Sequence, residues 1–199
     1  MLVVIAGHNG AGKTTCYERH LKATVGRILE EHINPDEVEK EIRAACAGSA
    51  MSDEAFSLAA QEEATRRRHS LLDGGSSFSF ETVGSYEDKV AFIRKARDAG
   101  YMVALLFVGL ESPEKSQARV ELRVTRGGHN VASDKIFSRY PRVLANMKVA
   151  VREATVALVV DNSQDSDPVD PNYLAVALFV NGEKVSAIDS PPNWVVPLL

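Results

Sequence analysis

The run Gly7-His8-Asn9-Gly10-Ala11-Gly12-Lys13-Thr14 fits the pattern G-x-x-x-x-G-K-[ST] and follows directly on the apolar, β-branched segment Leu2-Val3-Val4-Ile5-Ala6. Each residue type in such a loop has its own use. The glycines let successive backbone N–H groups converge on a phosphate, the lysine reaches the β- and γ-oxygens, and the final hydroxyl meets Mg²⁺. The next stretch, 15–28, reads as a helix whose N-terminal dipole favours an anion. Strand, loop and helix in this order point to an α/β fold, a P-loop parallel sheet flanked by helices, with a phosphate site at its carboxyl edge. Nucleotide contacts are expected from Gly7, His8, Asn9, Gly10, Ala11, Gly12, Lys13, Thr14 and Thr15, with ATP and Mg²⁺ as ligands and Thr14 on the metal. The chain has no Asn-Lys-x-Asp guanine-reading motif, so adenine is the default base.

The rest of the chain keeps the alternation. Strand-like runs at 2–6, 77–80, 102–110 and 156–160 are separated by longer, Ala-rich polar stretches that read as crossover helices. Ser52-Asp53-Glu54 opens one helix, which Asp73-Gly74-Gly75 ends, and a second runs from Tyr86 to Ala99 before Gly100. From about 112 to 147 lies an Arg-rich helical insert broken by Gly127-Gly128, where nucleotide kinases carry a lid. After Val160 the chain is irregular and polar through Pro168. Two apolar runs then flank Asn181-Gly182, a two-residue hairpin signal, and the segment 191–199 reads as a strap packed by Trp194. Within this hairpin and tail, about 172–199, the hairpin is expected to extend the sheet at one edge.

At 199 residues, 45% apolar and 25% charged, the chain is sized for one domain with a substantial core, 1–199. Its formal charge of -4 argues against general binding to nucleic acid or acidic membrane, which needs clustered positive charge. Cys16 and Cys46 form no C-x-x-C pair, so neither a disulfide framework nor a zinc site is expected, and a reducing cytoplasm is the expected setting. The N-terminus enters the first strand without a charged region and long apolar stretch, and no run is long enough to span a bilayer. With no apolar surface stripe in view, a monomer is expected.

Phosphoryl transfer depends on positioning and on neutralising charge. Asp36 follows a short extended segment and precedes a helix, placing a carboxylate on the rim where a second substrate would lie. It either accepts a proton from an attacking hydroxyl or caps the helix beginning at Glu37. Glu81, with Thr82 beside it, ends the strand of residues 77–80 at the edge where a metal or an acceptor is held. Arg119, Arg123 and Arg126 share one helical face, and Gly127-Gly128 separates them from Arg139. Arg126 and Arg139 can then clamp a transferred phosphate, or the arginines are a solvated face. His129 reads as a loop-tip residue, and Arg66-Arg67-Arg68 as a helix C-terminal cluster favoured by the dipole.

Taken together, Gly7 to Thr14, Asn34-Pro35-Asp36, Ser77 to Thr82, Arg126 to His129, Arg139-Tyr140 and Asp161-Asn162-Ser163 resemble the zeta-toxin family of P-loop kinases over roughly 2–163. Members of that family phosphorylate a sugar hydroxyl of UDP-N-acetylglucosamine with ATP and Mg²⁺, and a small antitoxin protein blocks the ATP site. The resemblance implies that Lys13 and Thr14 bind Mg-ATP and that Asp36 is the catalytic base. It further implies that Glu81 holds the sugar and that Arg126 and Arg139 stabilise the γ-phosphate. One departure stands out: Glu37-Val38-Glu39-Lys40 follows Asp36, where the toxins carry an aromatic residue and a cation. A P-loop ATPase that switches shape without a phosphoryl acceptor is the alternative.

Overall fold

In the computed structural model, which describes residues 1–164 and 172–199, the apolar segments assemble into one seven-stranded sheet. Five strands run parallel in the order β2-β3-β1-β4-β5: β1 (Leu2–Gly7), β2 (Glu31–Ile33), β3 (Phe78–Thr82), β4 (Val103–Gly109) and β5 (Val156–Asp161). The chain leaves β1 for one side of the sheet and later crosses to the other. β1 is therefore the switch point, and the space beyond its carboxyl end is where an open α/β sheet takes its ligand.

Covered faces explain the strand sequences. All residues of β1 are buried, as an unalternating apolar run must be between two helical layers. Its side chains still part by period two. Leu2, Val4 and Ala6 join Phe78, Phe80, Phe107 and Met147 in the larger core, while Val3 and Ile5 join Leu106, Val108 and Tyr17 in the smaller. Each fully buried large apolar side chain contributes about 1.5–3 kcal/mol to the fold.

The helices are α1 (Lys13–Cys16), α2 (Lys22–Val25), α3 (Pro35–Ala45), α4 (Asp53–Asp73), α5 (Asp88–Asp98), α6 (Pro113–Thr125) and α7 (Ser133–Glu153). A π-helical turn, Tyr17–Leu21, joins α1 to α2, and Gly26 ends the stretch short of the expected 28. At the start of that wider turn, Tyr17 stacks flat on His32 with ring centroids 3.5 Å apart. In α4, capped by Ser52 on the Ala55 N–H as expected, the buried residues are Phe56, Ala60, Ala64, Arg68 and Leu72, a ladder with a step of four. Arg66, Arg67 and Arg68 are therefore not a dipole cluster in the last turn. Arg67 bonds Glu31, Glu41 and Glu63, Arg66 bonds Glu63, and Arg68 is turned inward.

At the other edge, β6 (Leu174–Val180) pairs antiparallel with β5, and β7 (Glu183–Ala187) pairs with β6. Asn181 and Gly182 both have positive φ, 49° and 81°, the geometry of a two-residue hairpin turn. The tail packs Trp194 edge-on to Phe107, its ring over Gly109 and its Nε1–H donated to Asp161 at 2.8 Å. The polar run that begins at Asp161 passes outside the described residues from Asp165 to Pro168.

The helical insert expected over 112–147 forms α6 and α7, each with residues in the core. Ser116 and Val120 of α6, and Ile136, Val143 and Met147 of α7, are buried. Only the tip between the two helices stands clear of the core: from Glu121 to Lys135 no residue is buried, and Arg123 and Val131 are half-covered.

Candidate active site

The loop after β1 owes its shape to two glycines that no other residue replaces. A Cβ on Gly7 would overlap the Val108 carbonyl oxygen. Gly12 has φ 88°, and a Cβ there would meet the Tyr173 hydroxyl at 2.9 Å and Asn162 at 3.0 Å. Those two side chains fasten the loop: Tyr173 donates to the Gly12 carbonyl at 2.8 Å and Asn162 to the Ala11 carbonyl at 2.9 Å. From the insert, Ser116 donates to the Asn9 carbonyl. Lys13 Nζ donates to the carbonyls of Gly7 and His8 at 2.9 and 3.0 Å, spanning the loop. Burial lowers the pKa of this ammonium, and the nearby carboxylates of Glu81 and Asp36 oppose the shift.

His8 enters the site through its backbone alone. Its ring is buried, Nδ1 accepts the Leu110 N–H at 3.3 Å, and the ring stacks on Tyr140 with centroids 4.3 Å apart. The side chain faces the core, so any nucleotide contact at this position falls to its backbone.

Opposite the loop, Asn34 resolves the two readings of Asp36. The Asn34 side chain is the N-cap of α3, accepting the Asp36 N–H at 2.9 Å, and Pro35 takes the first helical position. Asp36 is thus inside the first turn rather than capping it. The residue is exposed and lines a cleft of about 1330 Å³ that also holds Asn9, Lys13, Thr14, Thr15, Glu81 and Thr82.

Glu81 stands deeper than a strand-end charge. It lies within β3, paired with Ile5, and is buried. One carboxylate oxygen accepts the Thr14 hydroxyl at 2.8 Å, and the other lies 3.3 Å from His32 Nε2. The second ring nitrogen, His32 Nδ1, lies 2.8 Å from the Ser79 hydroxyl. Thr14 and Glu81 together offer a hydroxyl and a carboxylate side by side, a donor set suited to Mg²⁺, which takes one or two protein oxygens and leaves the rest to phosphates and water. Among the described residues no cluster of three His, Cys, Asp or Glu exists to hold a metal by itself. Thr82 lines the cleft while its hydroxyl accepts the Gly84 N–H at 3.1 Å, shaping the turn after β3.

The insert contributes a basic part of the cleft's lining. Arg119, Arg123, Arg126, His129 and Arg139 all line it. Arg123 donates to the His129 carbonyl at 2.6 Å and Arg119 to the Gln164 carbonyl at 3.0 Å. Arg123 and Arg139 are near enough to Lys13 for their charge to lower its pKa. The structure thus brings Lys13, Thr14, Asp36, Glu81, Arg126 and Arg139 to one cavity.

Three residues escape a reading of the sequence alone: His32, Asn34 as the cap, and Arg68. Asn before Pro, with the first turn of a helix following, carries the signal for the second. An arginine within the four-residue apolar step of α4 carries it for the third.

The parallel sheet, the phosphate loop at its switch point and the arginine-lined insert define the P-loop kinase fold class. Within that class the chain belongs to the zeta-toxin family, whose model it matches over residues 1–167. It is similar to an uncharacterised protein of Haemophilus influenzae, 24% identical over 138 residues, which are 69% of this chain and 91% of the other. Among solved structures, AvrRxo1-ORF1:AvrRxo1-ORF2 has a TM-score of 0.71 at 19% identity, covering 94% of this chain and 60% of that one. The PezAT chromosomal toxin-antitoxin system of Streptococcus pneumoniae has a TM-score of 0.61 at 17% identity, covering 87% of this chain and 70% of that one. The chain thus spans less than two thirds of the AvrRxo1 chain it matches. No helix among the described residues is long and apolar enough to cross a membrane.

Proposed function

We propose that this protein transfers the γ-phosphate of ATP, bound with Mg²⁺, to a hydroxyl of a nucleotide sugar such as UDP-N-acetylglucosamine. The observation that carries the reading is Asp36, released from capping by Asn34 and lining the cleft that holds Lys13. A carboxylate so placed accepts the proton of an attacking hydroxyl. The loop N–H groups and Lys13 hold the β- and γ-phosphates, and Arg126 and Arg139 meet the charge on the transferred group. Thr14, with Glu81 beside it, is the protein's side of the Mg²⁺ site, where the ion neutralises phosphate charge. A related structure was determined with ATP, which supports that choice of donor. Glu81 and Thr82 border the acceptor, and a small antitoxin protein covering the cleft is the proposed partner, as the PezAT system supports.

The test is ³¹P NMR of the purified protein with Mg-ATP, with and without UDP-N-acetylglucosamine, beside Lys13→Ala. A new phosphomonoester resonance that needs both the sugar and Lys13 supports the reading. Release of inorganic phosphate alone would indicate an ATPase without this acceptor.

A further inference from the structure

Arg68 is a buried cation that lines the cleft, 3% exposed, on the inward face of α4. Its guanidinium lies over the rings of Phe80, 4.9 Å away, and Phe92, 5.8 Å away. One nitrogen donates to the Thr65 hydroxyl at 2.7 Å, while Nε is buried with no hydrogen-bond partner among the described residues. A guanidinium keeps its charge at any working pH, and the ring faces offset only part of the cost of desolvating it.

A second cation stands near it. Lys89, in the first turn of α5, lines the same cleft and is close enough to Arg68 to feel its charge, and burial lowers its pKa. Asp88 is the carboxylate whose charge reaches both, and it accepts a hydrogen bond from Lys89. Two cations therefore share one acid. The helix behind them adds to the field, since α5 begins with no side-chain cap on its first N–H groups.

We propose that Arg68, Lys89 and the start of α5 form an oxyanion subsite for the phosphoryl acceptor, which therefore carries a phosphate or carboxylate group besides its reacting hydroxyl. The inference rests on reading the cleft as a kinase site, and it assigns a selectivity the phosphate loop does not provide. An acceptor anchored at Arg68 by its anion presents its hydroxyl within the cavity that Asp36 borders. An uncharged sugar has no anion to set against the two cations. Part of the recognition absent at Glu37 to Lys40 is supplied from α4 and α5 instead.

The test uses the full chain saturated with Mg²⁺ and β,γ-imido-ATP, so that the phosphate loop and its arginines are occupied. Inorganic phosphate and, separately, acetate are titrated by calorimetry. Saturable binding is expected to weaken about tenfold or more in Lys89→Met and in Arg68→Met, the scale of one hydrogen bond to a charged group. Lys95→Met, on the far end of α5, should leave it unchanged. Preference for phosphate identifies a phosphorylated acceptor, and equal or tighter acetate binding a carboxylated one. Absence of saturable binding in the loaded wild type, or equal affinity in Lys89→Met, overturns the subsite. A merely structural Arg68 would lower thermal stability in Arg68→Met and leave the anion affinity of Lys89→Met untouched. Binding here needs no turnover, so failure of the acceptor assay and failure of the subsite are read separately.

Discussion

Two residues apart, Asn34 and Asp36 divide work that either could do. Asn34 turns its amide oxygen back onto the Asp36 N–H and leaves the aspartate carboxylate free to serve the cleft. Replacing Asp36 with Asn keeps the size of the side chain and removes the carboxylate proposed as the base. We expect Asp36→Asn to lower kcat by about 10²–10⁴, the usual range for a general base, with ATP affinity little changed. Steady-state kinetics paired with calorimetric ATP binding check this, and wild-type kcat would return Asp36 to a surface role. Asn34→Ala acts on the helix instead and should cost about 1 kcal/mol of stability, measured by denaturant unfolding.

Among the elements, α6 and α7 are anchored in the core away from the tip they share. Ser116 and Val120 bind the start of α6 to the core, and Val143 and Met147 bind the second half of α7, so the arginines ride on a hairpin fixed at both ends. The periodicity that places Arg119, Arg123 and Arg126 on one face is legible in the sequence because it is local. The depth to which α7 enters the core is not, because apolar residues at helical spacing do not say which neighbour covers them. The P-loop, the Asn181-Gly182 turn and the Ser52 cap are likewise written in short stretches. His32 reaches Glu81 only because β2 pairs with β3, a contact between residues 49 apart. Arg68 is hidden for the opposite reason: its two arginine neighbours form ion pairs on the outer side of the helix, and they mask a residue that does not. Arg126→Ala and Arg139→Ala should each lower kcat about 10²–10³-fold while ATP affinity changes far less, if they act on the transferring phosphate. An equal loss in ATP affinity would make them nucleotide anchors instead.

Across the whole molecule, His8 ties three separate parts together, and this gives folding a defined acid dependence. Its ring receives the Leu110 N–H from the end of β4, stacks on Tyr140 of α7 and meets Trp194 of the tail edge-on with centroids 6.5 Å apart. Burial, with the Lys13 charge nearby, lowers its pKa from 6.5 to about 3. The folded protein therefore keeps His8 neutral where the unfolded chain protonates it. Above pH 6.5 neither state binds the proton and nothing is lost; below it the unfolded state gains, and stability falls until the folded state also protonates near pH 3. Within that window the loss is about 1.4 kcal/mol per pH unit, or about 2 kcal/mol between about pH 6.5 and 5. Gln at this position keeps an acceptor for Leu110 and takes up no proton. Urea unfolding of the wild type and His8→Gln at about pH 7, 6 and 5 should show a less stable variant at neutral pH whose stability then declines more slowly. Parallel declines would assign the acid sensitivity to other groups and leave His8 as packing alone.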